Sequence, residues 1–178
     1  LLVIDTRVTH AHSTGGYRER REACERGAAI MGVPALRDLS VDDLPRAQEL
    51  MDDVTFRRVR HVVTEDQRVL DAVRTLRANG PRAIGPLLDA SHASMRDDFE
   101  ITVPHVDVAV ETALQAGAIG ARMTGGGFGG SVVALVEADG PQGADAVAEA
   151  VTQAYAERDW EPPAPFVTRA EQGATRLG

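Results

Sequence analysis

Six residues, Gly125 to Gly130, contain five glycines and one phenylalanine, set directly before the apolar, β-branched run that starts at Ser131. Glycine lowers stability through the entropy it loses on folding, so a run this dense has a reason. Either the backbone needs φ above zero there, or an anion must come closer to main-chain N–H groups than a Cβ would allow. Successive amides in such a loop can form a concave nest for phosphate. The pattern is not the lysine-bearing phosphate loop, because no lysine follows the glycines and a strand stands where that motif needs a helix. As plain structure the run is a hairpin turn. Phe128 then reads as an anchor that pins the loop to an apolar neighbour, with stacking on a ligand base as the functional alternative.

Other residues with chemical potential have more ordinary readings. Asp97, Asp98 and Glu100 form a carboxylate cluster that could serve a cation or acid/base chemistry, but turn capping and arginine pairing explain it more simply. His10 and His12 alternate along an extended segment without further ligands at metal-binding spacing. His61, His92 and His105 are isolated and read as packing or surface residues. Arg18, Arg20 and Arg21 are interleaved with glutamates and read as a solvated helix face, where ion pairs contribute about 0–1 kcal/mol each. Arg57, Arg58 and Arg60 have fewer acids nearby in sequence, which makes them the better candidates for contact with a partner domain. Cys24 sits on the apolar side of its helix and reads as inert.

Composition narrows the function further. The chain has 178 residues, enough to bury a core as one domain, and one cysteine, which excludes a disulfide framework and fits a reducing, cytoplasmic setting. A formal charge of −8 argues against general nucleic-acid binding. No run of about 18 apolar residues suggests a membrane span. All 19 basic residues are arginine, so Schiff-base and general-base lysines are excluded, and phosphate must be met by amides, arginine or metal.

The elements that would position these residues follow from periodicity. Leu1 to Asp5 reads as a strand, and Thr6 to Gly16 as a polar loop. Tyr17, Cys24, Ala28 and Met31 share one face of a helix that Gly32 and Pro34 stop. Ser40 and Asp43 resemble a capping box opening a short helix to about Met51. Val54 to Asn79 is a long helix with Val59, Val62, Val63, Val69, Leu70, Val73 and Leu76 on one stripe. Helices are also expected over Arg82 to Met95, from Thr102 to Gly117, and over Gly143 to Glu157, the last with Val147, Val151 and Tyr155 inward. Ala121 to Thr124 and Ser131 to Val136 read as strands flanking the glycine loop, and Phe166 to Arg169 as a last strand. The sum is an α+β domain, a small and largely antiparallel sheet of about four strands with helices on one face. Its first strand must pair with strands from the other end of the chain.

Four stretches carry a resemblance. GARMTGGGFGGSVVAL (Gly120 to Leu135) resembles the C-terminal glycine motif of the GHMP small-molecule kinases in its galactokinase form. VTHAHSTGGYRERREACE (Val8 to Glu25), RRVRHVVTEDQRV (Arg57 to Val69) and SHASMRDDFEITVPHVD (Ser91 to Asp107) are similar to that subfamily in the same order. The resemblance implies a GHMP-kinase C-terminal domain over residues 1–178, with a ferredoxin-like core and helical insertions. It implies ATP- and magnesium-dependent phosphoryl transfer to the anomeric hydroxyl of galactose, at a cleft shared with an N-terminal kinase domain. The family's sugar signature, main phosphate loop and catalytic aspartate match nothing in this chain. A fragment without catalytic residues or metal ligands, inactive alone, is therefore expected. Gly125, Gly126, Gly127, Gly129 and Gly130 would border the ATP site, and Tyr17 falls on the tyrosine that reaches the sugar, although by periodicity alone it is the first inward residue of its helix. Ser131 stands where many relatives carry cysteine. A non-catalytic sugar- or nucleotide-sensing module, a kinase for a related sugar such as N-acetylgalactosamine, and a stand-alone interaction domain remain open on the same residues.

Overall fold

The computed structural model describes residues 1–8, 13–137, 140, 142–171 and 173; His10 and His12 fall outside them. Four strands, β1 (Leu2–Asp5), β2 (Gly120–Thr124), β3 (Ser131–Leu135) and β4 (Ala164–Val167), form one antiparallel sheet in the order β2-β3-β1-β4. The first strand lies between strands from the far end of the chain, as the sequence predicts: Ile4 is paired with Val132 on one side and Pro165 on the other. β4 begins earlier than its apolar pattern suggests, because Ala164 and Pro165 already pair with Asp5 and Ile4. Pro165 is tolerated because β4 is an edge strand. With helices between β1 and β2 and between β3 and β4, the topology is the split βαβ of ferredoxin-like folds.

Among the described residues there are six α-helices: α1 (Ser13–Met31), α2 (Leu44–Leu50), α3 (Asp53–Asn79), α4 (Gly85–Ser94), α5 (Pro104–Gln115) and α6 (Ala144–Ala156). Strand alternation places Leu2, Ile4, Ala121, Met123, Val132 and Ala134 on one face of the sheet. There they are buried with Val106, Ala109 and Val110 of α5 and Val147, Val151 and Tyr155 of α6. Each Leu, Ile, Val or Met among them contributes about 1.5–3 kcal/mol by leaving water. The Tyr155 hydroxyl donates to the His105 carbonyl at 2.6 Å, and burial pushes its pKa up.

A second apolar cluster joins α1, α2 and α3 through Ala28, Met31, Ala47, Phe56, Val59 and Val63. Gly27 permits the close approach, since a Cβ there would stand 2.3 Å from Val59 Cγ2. The Asp52 carboxylate caps α3 by accepting from the Thr55 amide at 3.0 Å, and Ser40 and Asp43 form the expected box around a 3₁₀ turn before α2. Two expectations fail here. Val69, Leu70, Val73 and Leu76 are 41–61% exposed, so the apolar stripe of α3 is buried only over its first half. Periodicity identifies a face; whether another element covers it depends on distant sequence. Tyr17, expected inward, is 63% exposed, because α1 starts at Ser13 and its first turns run beyond the cluster that holds Ala28 and Met31.

α4 covers the outer edge of β2. Asp89 Oδ1 accepts from the Ala121 amide at 2.9 Å and His92 Nδ1 from the Met123 amide at 3.3 Å, which satisfies strand donors that would otherwise lie open. His92 Nε2 faces Asp107 Oδ1 at 3.2 Å. α4 then runs on as a π turn, Met95–Phe99, past the expected end at Met95, and the chain leaves it through Glu100 at φ +51. No helix among the described residues is long and apolar enough to cross a membrane.

Candidate functional site

The π turn is held by arginines from two helices. Arg20 of α1 donates to the Phe99 carbonyl at 2.5 Å and to the Glu100 carbonyl at 2.9 Å. Arg57 of α3 donates to the Asp97 carbonyl at 3.0 Å, and the buried Arg58 to the Asp98 carbonyl. The carboxylates join in: Arg58 Nη2 reaches Glu100 Oε2 at 2.5 Å, and Arg60 Nε reaches Asp98 Oδ1 at 3.0 Å. The bonds from Arg58 and Arg57 hold the Glu100 carboxyl below its usual pKa. Asp98 and Glu100 are thus arginine partners, as the sequence predicts, and Asp97 also pairs with Arg96. The expectation that Arg57, Arg58 and Arg60 await a partner domain is corrected, since their counter-charges lie about 40 residues later in the chain. Arg20 also departs from its reading as solvated: it is buried, while Arg18 and Arg21 pair with Glu22 and Glu25 on the surface.

His61 completes this support. Its ring stacks on Phe99 with centroids 4.4 Å apart, and Nδ1 lies 3.0 Å from Ser94 Oγ, whose hydroxyl donates to Asp98 Oδ2. Burial lowers its pKa to about 4, so it is neutral at pH 7.

From this platform the chain reaches Ile101, whose carbonyl accepts the Phe128 amide at 2.6 Å. The inner glycines are packed here. A Cβ on Gly127 (φ +89) would meet Ile101 Cβ at 2.6 Å and Ile101 O at 2.7 Å; one on Gly129 (φ +135) would meet the Val8 carbonyl at 2.6 Å. Gly130 donates to the Val8 carbonyl at 3.2 Å and accepts from the Thr6 amide and hydroxyl. Phe128, itself at φ +61, lays its ring against Gly16 of α1, with the Arg20 guanidinium 5.9 Å from the ring centre. It is the apolar anchor of the loop.

Gly125 and Gly126 are different. A Cβ at either would meet nothing within 4 Å. The amides of Gly125, Gly126 and Gly127 donate to no acceptor among the described residues. Gly125 and Gly126 border a cleft of about 370 Å³ walled by Phe99, Ile101 and Phe128 and closed on the α1 side by Tyr17, Arg21 and Cys24. Burial raises the Cys24 thiol pKa, which keeps it protonated. Tyr17, Gly125 and Gly126 therefore come together, whereas Gly127, Gly129 and Gly130 form the support behind them. Arg20, Phe99 and Ile101 belong to the same construction and were not singled out as site residues by sequence. Their only signal is their place within two of the four motif stretches.

Open amides beside arginine suit an anion such as a phosphate group. Magnesium is a different case. Among the described residues no three His, Cys, Asp or Glu side chains converge on a cation position, and Asp98 and Glu100 are engaged by arginine. These residues do not fit a magnesium site.

Known proteins fit the same picture. Residues 72–157 match the family model described as GHMP kinases C terminal. A galactokinase of Streptomyces coelicolor is 54% identical over 99% of this chain and 46% of its own length. One of Mycobacterium tuberculosis is 47% identical over 98% of this chain and 47% of its own. The chain thus spans a little under half the length of these curated relatives. Among solved structures, Lactococcus lactis galactokinase complexed with galactose superposes with a TM-score of 0.86 at 34% identity, over 99% of this chain and 46% of that one. L. major mevalonate kinase in complex with R-mevalonate shares the fold, with a TM-score of 0.54 at 18% identity over 85% of this chain and 37% of that one. With the ferredoxin-like sheet, the glycine loop and 47–54% identity along nearly its whole length, the chain is similar to the C-terminal part of these galactokinases and folds as a GHMP-kinase C-terminal domain.

Proposed function

We propose that this chain is the C-terminal part of a galactokinase, which transfers the γ-phosphoryl group of ATP to the anomeric hydroxyl of galactose and yields galactose 1-phosphate and ADP. In that reaction the sugar oxygen bonds to phosphorus, the bond to the ADP oxygen breaks, and the hydroxyl proton passes to a base outside this chain. Phosphoryl transfer depends on positioning and charge stabilisation more than on covalent machinery, so one wall of the site can consist largely of backbone amides. Here Gly125 and Gly126 turn their amides toward the nucleotide phosphates and Tyr17 faces the sugar. Residues 1–178 act as one domain beside an N-terminal kinase domain, which contributes the catalytic groups and the magnesium ligands. The lone cysteine suits a cytoplasmic setting.

The observation that carries this reading is a cleft bordered by Tyr17 and by Gly125 and Gly126, whose amides have no acceptor among the described residues. The test is a chimera in which this chain replaces the matching part of the Streptomyces coelicolor galactokinase. Galactose-dependent ADP release is the expected result. A folded chimera that binds galactose without releasing ADP identifies a sensing module instead, and faster turnover of N-acetylgalactosamine than of galactose reassigns the substrate.

A further inference from the structure

Across β1, β3 and β4 the sheet is apolar on both faces, yet α5 and α6 cover only one; in β2 the second face carries Arg122, beside Val133, whose guanidinium turns to Glu65 of α3 and to Met95. Alternation sets Val133 of β3, Val3 of β1 and Phe166 of β4 in a row across the face opposite Leu2 and Ile4, with Leu135 and Leu1 alongside. None of the five belongs to either apolar cluster or to the side chains packed against them. Phe166 is 55% exposed and Leu1 40%. A sheet with one wet face normally turns polar side chains outward, and strands apolar on both sides are those covered on both. In β1, β3 and β4 the only charged residue on this face is Asp5, at one end of its strand. A contiguous apolar patch of this kind marks an interaction surface.

Length and charge say what covers it. The matching region is 46% of the Streptomyces coelicolor protein and 46% of the Lactococcus lactis chain, so in each relative this domain is joined to more polypeptide than it contains. A formal charge of −8 on each copy opposes a second copy meeting the same face. We infer that the open face, centred on Val3, Val133 and Phe166, is where the remaining part of the galactokinase polypeptide docks, through an apolar layer of its own. This rests on the proposed function only in assuming that further galactokinase sequence completes the chain.

Site-resolved thiol labelling of the same chimera tests it. In a Cys24→Ser background, Phe166→Cys reports the face and Gln153→Cys, on the exposed side of α6, is the control. Labelling by a bulky maleimide is followed by mass spectrometry of each peptide. The expected result is labelling at Phe166→Cys at least about tenfold slower than at Gln153→Cys in the native chimera at every protein concentration, with equal rates in urea. Rates within about twofold of each other in the native protein overturn the inference. Protection that accompanies dimerisation and vanishes on dilution overturns it too, by assigning the face to a second copy. The two proposals fail separately. Protection without ADP release leaves the docking face standing and sinks the kinase reading, while ADP release with fast labelling does the reverse.

Discussion

The glycine loop is two structures in one. From Gly127 to Gly130 it is scaffold: the Phe128 and Gly130 amides donate to the Ile101 and Val8 carbonyls, the Gly130 carbonyl accepts from Thr6, and Gly127 and Gly129 are required because Ile101 and the Val8 carbonyl occupy the space a Cβ would take. Gly125 and Gly126 have open space where a side chain would stand, and their amides have no described partner. Glycine thus answers to close packing in the inner half and to access in the outer half. The inner half rests on the π turn, and the π turn rests on arginines of α1 and α3. Damage to that support should appear as lost stability; damage to the outer half should appear as lost binding.

The largest expected effect is on the support. Arg58→Ala leaves the Asp98 carbonyl without its buried donor and removes one of the arginines on Glu100, and should cost about 3 kcal/mol in urea unfolding. Gly127→Ala should cost about 3 kcal/mol, from a left-handed backbone angle joined to overpacking against Ile101. An effect below about 1 kcal/mol at either position would mean that the inner half is not anchored as described.

Acid is the next lever. The folded His61 has a pKa near 4 against an ordinary 6.5, so between those values the unfolded chain binds a proton that the folded chain refuses. Stability should therefore fall as pH drops from about 6.5 to about 4, by on the order of 3 kcal/mol in total, and His61→Gln should flatten the profile over that interval. Glu100, with its pKa lowered by Arg58 and Arg57, adds a further loss below the ordinary carboxylate range, and the His61 variant should keep that part. The smallest stability effect belongs to Gly126→Ala, under about 0.5 kcal/mol, because nothing stands within 4 Å of the new methyl and its φ is not left-handed.

The sequence made the sheet legible because its strands are short, apolar and bounded by turn residues, and because a strand at Leu1 has partners only at the other end of the chain. It also located the loop. It could not say which glycines pack, since Ile101 and Val8 lie 26 and 121 residues away from Gly127 and Gly129. The arginine cluster was misread for the same reason: Asp98 and Glu100 are close to Arg58 only after folding. Tyr17 shows the limit of periodicity. Its spacing to Cys24 puts it on the apolar side of α1, but no core reaches that turn, and the residue borders the cleft instead. The outer half of α3 and the open face of the sheet repeat the lesson, because an apolar pattern declares that a surface can be covered without naming its cover.

The most direct measurement is steady-state kinetics of the Gly126→Ala chimera beside the parent chimera, with thermal unfolding of both. Tm values within about 2 °C of each other and a kcat/KM for ATP reduced about tenfold or more are the expected result. An unchanged kcat/KM in an equally stable variant would contradict it, because the outer glycines would then face nothing that the reaction uses.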